Sequence, residues 1–248
     1  MTKKEIIEVA KKQLALDFNC NATDLNNNKN IFNKNTLIDG RRIYRNDGCF
    51  FKLLAINGIA VFSADEKILP WLIDEFQSCE GEWIFEYQEL KSIDKKLMEF
   101  DHEISSTHHY YLPNPEFPKA ESRFDVKWFE KDEILRFKDD ERFSEALAFS
   151  EIYPDILAVA AMDGDKIMGM AGSSEDSKTM WQIGIDVIPE YRGEGVASNL
   201  VSILKDEILK RGKVPFYGTS ESHNFSKQVA FNSGFFPFWA EVASRKCR

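Results

Sequence analysis

The sequence predicts an α+β protein, with an N-terminal α+β domain followed by a C-terminal domain of strands and helices. Three observations carry that expectation. Between Trp181 and Gly212 an apolar, β-branched run gives way to a turn with two glycines, then to apolar residues at helical spacing. Asn57-Gly58 and Asp163-Gly164-Asp165 each sit between two short apolar runs, which is a hairpin signal. Pro113, Pro115 and Pro118 interrupt any strand or helix and place a boundary between residues 1–118 and 119–248.

Composition narrows the class. The 248 residues have 43% hydrophobic content and a net charge of -9, which fits a folded chain and argues against a nucleic-acid surface. The start MTKKEIIEVA is too polar for a signal peptide, and no apolar run reaches membrane-spanning length. The expected location is therefore the cytoplasm, with neither nucleic acid nor membrane as partner. Cys20, Cys49, Cys79 and Cys247 have no metal-ligand spacing and read as reduced thiols.

Thr2-Lys3-Lys4-Glu5 reads as a capping box, after which Ile6, Ala10, Leu14 and Phe18 define one apolar helix face. Asn19–Thr36 is rich in asparagine, which competes for backbone hydrogen bonds and predicts a long polar loop. Cys49–Leu54 and Ile59–Phe62 form the first hairpin. Ile68–Phe76 reads as helix, Glu82–Tyr87 as strand, Ile93–Phe100 as helix and Thr107–Leu112 as strand. No catalytic motif occurs in this half. His102, His108 and His109 make no metal set, because adjacent strand residues face opposite ways and no Cys/His spacing accompanies them. No metal site is expected.

Past the boundary, Phe124–Trp128 reads as a strand and Lys131–Phe149 carries helical segments. Ile156–Met162 and Lys166–Ser173 form the second hairpin. Trp181–Ile188 is a strand with Ile183, Ile185 and Val187 on one face, ended by Pro189. Arg192-Gly193-Glu194-Gly195 turns the chain. Ala197, Leu200, Val201, Leu204 and Ile208 then mark a helix that Lys210-Arg211-Gly212 closes. Val214–Thr219 is a strand, Phe225–Asn232 a short helix stopped by Gly234, and Phe235–Ala243 the last strand.

A strand feeding a glycine turn that opens a helix can hold an anion. The first helical N–H groups have no internal partners, and the helix dipole places partial positive charge there. Gly193 and Gly195 carry no side chain to block the approach. The plainer reading is a tight turn between two core elements. The turn is not a dinucleotide fingerprint, which needs a third glycine, nor a nucleotide-hydrolase loop, which needs Gly-Lys-Ser/Thr.

Arg192-x-x-Gly195-x-Ala197, preceded by Pro189, Tyr191 and an apolar strand, resembles the pyrophosphate signature of the GNAT N-acetyltransferase superfamily. From Ser122 onward the order of elements is similar to that family's domain, here in the layout of a bacterial-type protein with an extra N-terminal domain. The resemblance implies a C-terminal GNAT fold, a mixed, mostly antiparallel, splayed sheet flanked by helices. It implies acetyl coenzyme A as co-substrate. The amides of Arg192, Gly193, Glu194, Gly195, Val196 and Ala197 would hold the pyrophosphate, and Val187 and Ile188 would meet the pantetheine arm through main-chain atoms.

Ser222–Phe235 resembles the family's closing motif, with its asparagine displaced by one place, so Asn224 and Ser226 carry the implied coenzyme contact. The tyrosine that often lies four residues before the closing glycine is Ala230 here. Tyr217, Ser226 or a water is left to protonate the departing thiolate. Glu221, Asp186 and Glu151 are the carboxylates considered for the base. The implied reaction is direct acetyl transfer to a primary amine, of a small molecule or a peptide, in a ternary complex. No cysteine in the motif region would carry a covalent intermediate. The alternative is a non-catalytic acyl-coenzyme A sensor or scaffold with the same fold.

Overall fold

The computed structural model describes residues 1–43 and 49–247; Arg248, the last residue of the expected C-terminal domain, lies outside them. The chain begins with α1 (Lys3–Asp17), β1 (Ile31–Lys34), β2 (Phe51–Ile56), β3 (Ile59–Ala64), α2 (Leu69–Phe76), α3 (Tyr87–Met98) and β4 (His102–Pro113). It continues with β5 (Asp125–Glu130), α4 (Lys131–Ile134), β6 (Asp155–Asp163), β7 (Lys166–Ser174) and β8 (Met180–Val187). The last elements are α5 (Val196–Lys210), β9 (Val214–Ser220), α6 (Asn224–Asn232) and β10 (Phe235–Lys246). Two compact units result. One comprises 1–10, 111–219 and 223–237; the other comprises 11–110, 220–222 and 238–248.

The unit that holds most of the N-terminal half is a small sheet with a helical cover. Its strands run in the order β1-β3-β2-β10. Asn57 and Gly58 both take positive φ, 51° and 78°, which is what a two-residue hairpin turn demands. Phe51, Phe62, Leu72, Phe76, Ile93 and Leu97 fill the core. The capping box forms as read, with Glu5 N–H donating to Thr2 Oγ1 at 3.3 Å and Thr2 N–H to Glu5 Oε2 at 2.7 Å.

Three expectations in this half are corrected. Asn19–Thr36 is not loop throughout, since Ile31–Lys34 pairs in parallel with β3 and Phe32 stacks on Phe62 at 4.7 Å. The asparagines there stand in for backbone. Asn30 donates to Phe76 O and Cys79 O and accepts from Ala60 N–H. Glu82–Tyr87 is not a strand; a 3-10 turn spans Gly81–Phe85. A Cβ on Gly81 would lie 2.3 Å from Ala60 N, so the chain rests on the start of β3, and only Gly81 and Ile84, three apart, are buried. The third helix starts at Tyr87, six residues before its first buried side chain, Ile93.

The other unit has the sheet order β9-β8-β7-β6-β5, antiparallel from β5 to β8 and parallel between β8 and β9. It is a mixed, mostly antiparallel sheet covered on both faces. On one face Leu200, Val201, Leu204 and Ile208 of α5 pack against Leu157, Val159 and Ile183. On the other, Phe137, Phe143, Ala146 and Leu147 pack against Ala158, Ala160 and Met170. The helical segments expected over Lys131–Phe149 reduce to α4 and two 3-10 turns, 135–137 and 141–143. The chain there lies too close to the sheet for a full helix: a Cβ on Gly172 would sit 2.2 Å from Ala146 O, and one on Gly184 2.0 Å from Glu145 O.

Candidate functional site

The site begins where β8 and β9 part. Their parallel register runs from Met180↔Val214 to Ile183↔Tyr217 and stops. Gly184–Val187 stay paired with β7 on the other side, Gly184 to Gly172 and Val187 to Gly169. The edge of β8 that faces β9 therefore has no strand partner there among the described residues. Such an edge offers main-chain donors and acceptors to an extended ligand.

Alternation along the strand decides which groups face the opening. Ile188 N–H donates to Met168 O at 2.9 Å, on the β7 side. Its expected main-chain role toward a pantetheine arm is thus corrected: Ile188 turns away. Neighbouring residues of a strand direct their main-chain groups to opposite sides, so Val187 faces the gap. Its carbonyl accepts from Arg192 Nε at 3.2 Å, which folds the Arg192 side chain back over the strand end.

Beyond the 3-10 turn of Pro189–Tyr191, Gly193 and Gly195 take φ of 86° and 85°. Both lie in the left-handed region that favours glycine. Gly195 is the N-cap of α5 and makes no side-chain cap. Among the described residues, none of the backbone N–H groups from Gly193 to Ser198 donates to a protein acceptor. Consecutive free amides at the positive end of a 15-residue helix can receive an anion. Arg192, Gly193, Glu194, Gly195, Val196 and Ala197 are brought together here as one turn, but the expected role of the Arg192 amide is corrected, since it donates to Pro189 O at 3.3 Å.

One cation at this turn leaves no mark in the motif. The Arg123 guanidinium sits 3.0 Å from where a Cβ on Gly195 would lie. Asn199, 8% exposed, fixes that segment by accepting from Arg123 N–H at 3.1 Å and donating to Glu121 O at 2.9 Å. Beside the turn a cavity of about 440 Å³ is lined by residues 117–121, Arg123 and the first turns of α5.

The proton-transfer candidates separate. Tyr217, 2% exposed, lies at the last β8–β9 pair, and its hydroxyl is 2.8 Å from Ser226 Oγ on α6. Burial pushes the phenol above its ordinary range, while the Ser226 hydrogen bond pulls the other way. Two residues named apart in the sequence thus form one hydroxyl pair. Thr219 Oγ1, two residues further along β9, is buried without a hydrogen-bond partner among the described residues. Ala230 is fully buried in the same cluster as Tyr217.

Asp186 accepts from Glu145 N–H at 2.8 Å and Ala146 N–H at 2.9 Å, both on Oδ2. That carboxylate ties the 145–147 segment across β8 and is placed as a structural clamp. Glu151 and Glu221 are exposed, Glu221 directly after β9 in the chain and within the other unit. Asn224 opens α6 as its first helical residue, exposed, while His223 holds the cap position without a side-chain cap bond. Among the described residues no group of three or more His, Cys, Asp and Glu could hold a metal ion, and no helix is long and apolar enough to cross a membrane.

The model of the acetyltransferase (GNAT) family matches residues 107–235. No curated protein matches the chain. Among solved structures, a GCN5-related N-acetyltransferase-like protein from Streptococcus suis is similar at 14% identity, over 98% of this chain and 99% of that one, with a TM-score of 0.48. A GNAT-family protein from Novosphingobium aromaticivorans is similar at 14% identity over 58% of this chain, with a TM-score of 0.44; the match spans 66% of that protein. An aminoglycoside N-acetyltransferase solved in complex with CoA is similar at 21% identity over 45% of this chain and 91% of that one, with a TM-score of 0.34. With TM-scores this low, the family match alone assigns the chain.

Proposed function

Because the chain belongs to the acetyltransferase (GNAT) family, we propose that it transfers acetyl from acetyl coenzyme A to a primary amine by direct attack in a ternary complex. The observation that supports this reading most is the run of unpartnered amides from Gly193 to Ser198 beside the unpaired edge of β8. The diphosphate would lie on the free amides of Gly193–Ala197, and the pantetheine arm along Ile185 and Val187. Asn224 and Ser226 would border the coenzyme from α6. The acceptor is a small-molecule or peptide amine, and the protein acts without a metal.

In this reaction the amine nitrogen attacks the thioester carbonyl, a tetrahedral oxyanion forms, and the C–S bond breaks to release the coenzyme thiolate. The Tyr217–Ser226 pair is the proposed proton donor to that thiolate, since its two hydroxyls lie 2.8 Å apart and Tyr217 stands at the last β8–β9 pair, where the strands part. Asp186 is already engaged by two amides, so the amine is proposed to lose its proton to water. Residues 119–248 would hold the coenzyme chemistry, and residues 1–118 would shape the choice of acceptor.

A second reading is an acyl-coenzyme A sensor without turnover; Ala230, a buried side chain with no hydroxyl at the family's usual acid position, favours it. Both readings require the coenzyme to bind. Gly195→Val forces a β-branched residue into a φ of 85° and toward Arg123, at a strain of about 1–3 kcal/mol. Titration calorimetry should find acetyl coenzyme A bound by the wild type and at least ~10-fold weaker in this variant. Equal affinities would remove the coenzyme from this turn.

A further inference from the structure

We propose that the segment entering β5, from Lys119 to Arg123, is a second half of the coenzyme site, with Arg123 on the diphosphate and Lys119 on the 3′-phosphate of the nucleotide. This rests on the coenzyme reading of the Gly193–Ser198 turn and adds residues that lie outside the signature. Three features converge on it. The Arg123 guanidinium hangs over the turn, 3.0 Å from the Gly195 Cβ position. Its central carbon lies 5.9 Å from the centre of the Phe124 ring, and among the described residues it has neither ion-pair nor hydrogen-bond acceptor. Lys119 likewise has no anionic partner there. Arginine's donor fork matches two phosphate oxygens at once, while lysine offers a compact point charge.

The segment is held rigidly enough to act as a binding element. Ala120 N–H donates to Asp206 Oδ2 at 3.2 Å, and Asn199 grips Glu121 and Arg123 by their main chain. All three anchors hold the backbone, so both cationic side chains stay free. The Phe117 ring packs on Gly234, where a Cβ would come within 2.3 Å of it. The open cavity it lines, about 440 Å³, falls in the range that takes small organic ligands. Ser198, Asn199, Ser202 and Asn232 supply polar lining of the kind a nucleoside uses. Glu121 is the acidic lining residue among them, and it would oppose an anion placed away from the two cations.

A nucleotide with phosphates on both sides of its ribose suits this arrangement, because two cations, Arg123 and Lys119, line the same cavity. The expected specificity is discrimination between coenzyme A and its 3′-dephospho form. Titration calorimetry with both ligands tests it, using wild type, Arg123→Ala, Arg123→Lys and Lys119→Ala, with thermal unfolding as the check that each variant folds. Arg123→Ala should weaken both ligands about tenfold or more, and Arg123→Lys should recover part of that loss. Lys119→Ala should weaken coenzyme A several-fold and leave dephospho-coenzyme A unchanged. Arg123→Ala within twofold of wild type on coenzyme A would overturn the proposal and leave the turn's role standing. Absence of coenzyme binding by the wild type would overturn this proposal and the reading beneath it together.

Discussion

At the residue scale, the proposed chemistry rests on a few side chains whose surroundings bias their protonation. Tyr217 is the clearest. Its hydroxyl is buried, paired with Ser226 at 2.8 Å, and holds its proton above the ordinary value of 10.0. If this pair protonates the thiolate, Tyr217→Phe should lower kcat by ~10²-fold with little change in coenzyme affinity, since general acid help is commonly worth that much. A loss below tenfold would hand the step to water. The raised pKa also carries a stability consequence. The folded phenol binds its proton more tightly than the unfolded one, so its contribution is fully present below pH 10.0 and is lost as pH rises through the higher folded value. Wild type should therefore lose stability faster than Tyr217→Phe in alkaline denaturation.

Both members of this pair stand in the sequence, but their pairing does not. It depends on α6 laying Ser226 against β9, which no local pattern encodes. Arg123 is similar: its position is decided by Asn199, far along the chain, and a lone arginine before a strand looks like any solvated charge. The Arg192–Ala197 turn, by contrast, was fully legible, because φ preferences of glycine and the helix start are local properties.

At the element scale, the candidate site lies where β8 and β9 part, and residues 145–146 pack across β7 and β8 beside it. Asp186 clamps Glu145 and Ala146 over β8, and Gly184 and Gly172 let that backbone approach. A structural clamp and a catalytic base respond differently to substitution. Asp186→Ala leaves two amides without an acceptor and should cost about 1–3 kcal/mol in chemical denaturation. Asp186→Asn keeps an acceptor oxygen and should retain most of the stability and kcat within about tenfold. A folded Asp186→Asn protein with a hundredfold loss in kcat would restore Asp186 as the base.

Elements with strong periodicity were readable, as in α5, where Leu200, Leu204 and Ile208 all pack into one core. The misread segments share a physical cause. In Gly81–Phe85 the run Trp83-Ile84-Phe85 looks like a strand, yet a backbone contact with β3 bends it into a 3-10 turn. In Asn30–Asn35 the polar composition concealed a strand whose edge is completed by asparagine side chains.

At the scale of the whole molecule, each unit carries its own buried polar anchor. In the one that holds most of the N-terminal half, Arg42, 3% exposed, joins Asp17 Oδ2 at 2.5 Å and Glu241 Oε1 at 2.6 Å, and Trp239 Nε1 donates to the same Glu241 oxygen. Three sequence-distant segments meet in that network. Removing one partner of a buried pair strands the other charges, at about 3–5 kcal/mol. Arg42→Ala should lower the denaturation free energy by that order. A change below about 1 kcal/mol would mean that the network contributes specificity of packing more than stability. In the unit that carries the turn, Lys205, 1% exposed, caps the end of α6 through Ser233 O at 2.8 Å, and burial lowers its pKa.

Family membership and the unpartnered turn lead to one claim about the molecule, acetyl transfer to an amine. The most direct measurement is release of free coenzyme thiol from acetyl coenzyme A, followed with and without a panel of primary amines under conditions where calorimetry shows the coenzyme bound. Thiol release that requires an amine, saturates with it and falls in Tyr217→Phe is the predicted result. Tight binding of acetyl coenzyme A with release no faster than in the amine-free control, for every small-molecule and peptide amine in the panel, would contradict it.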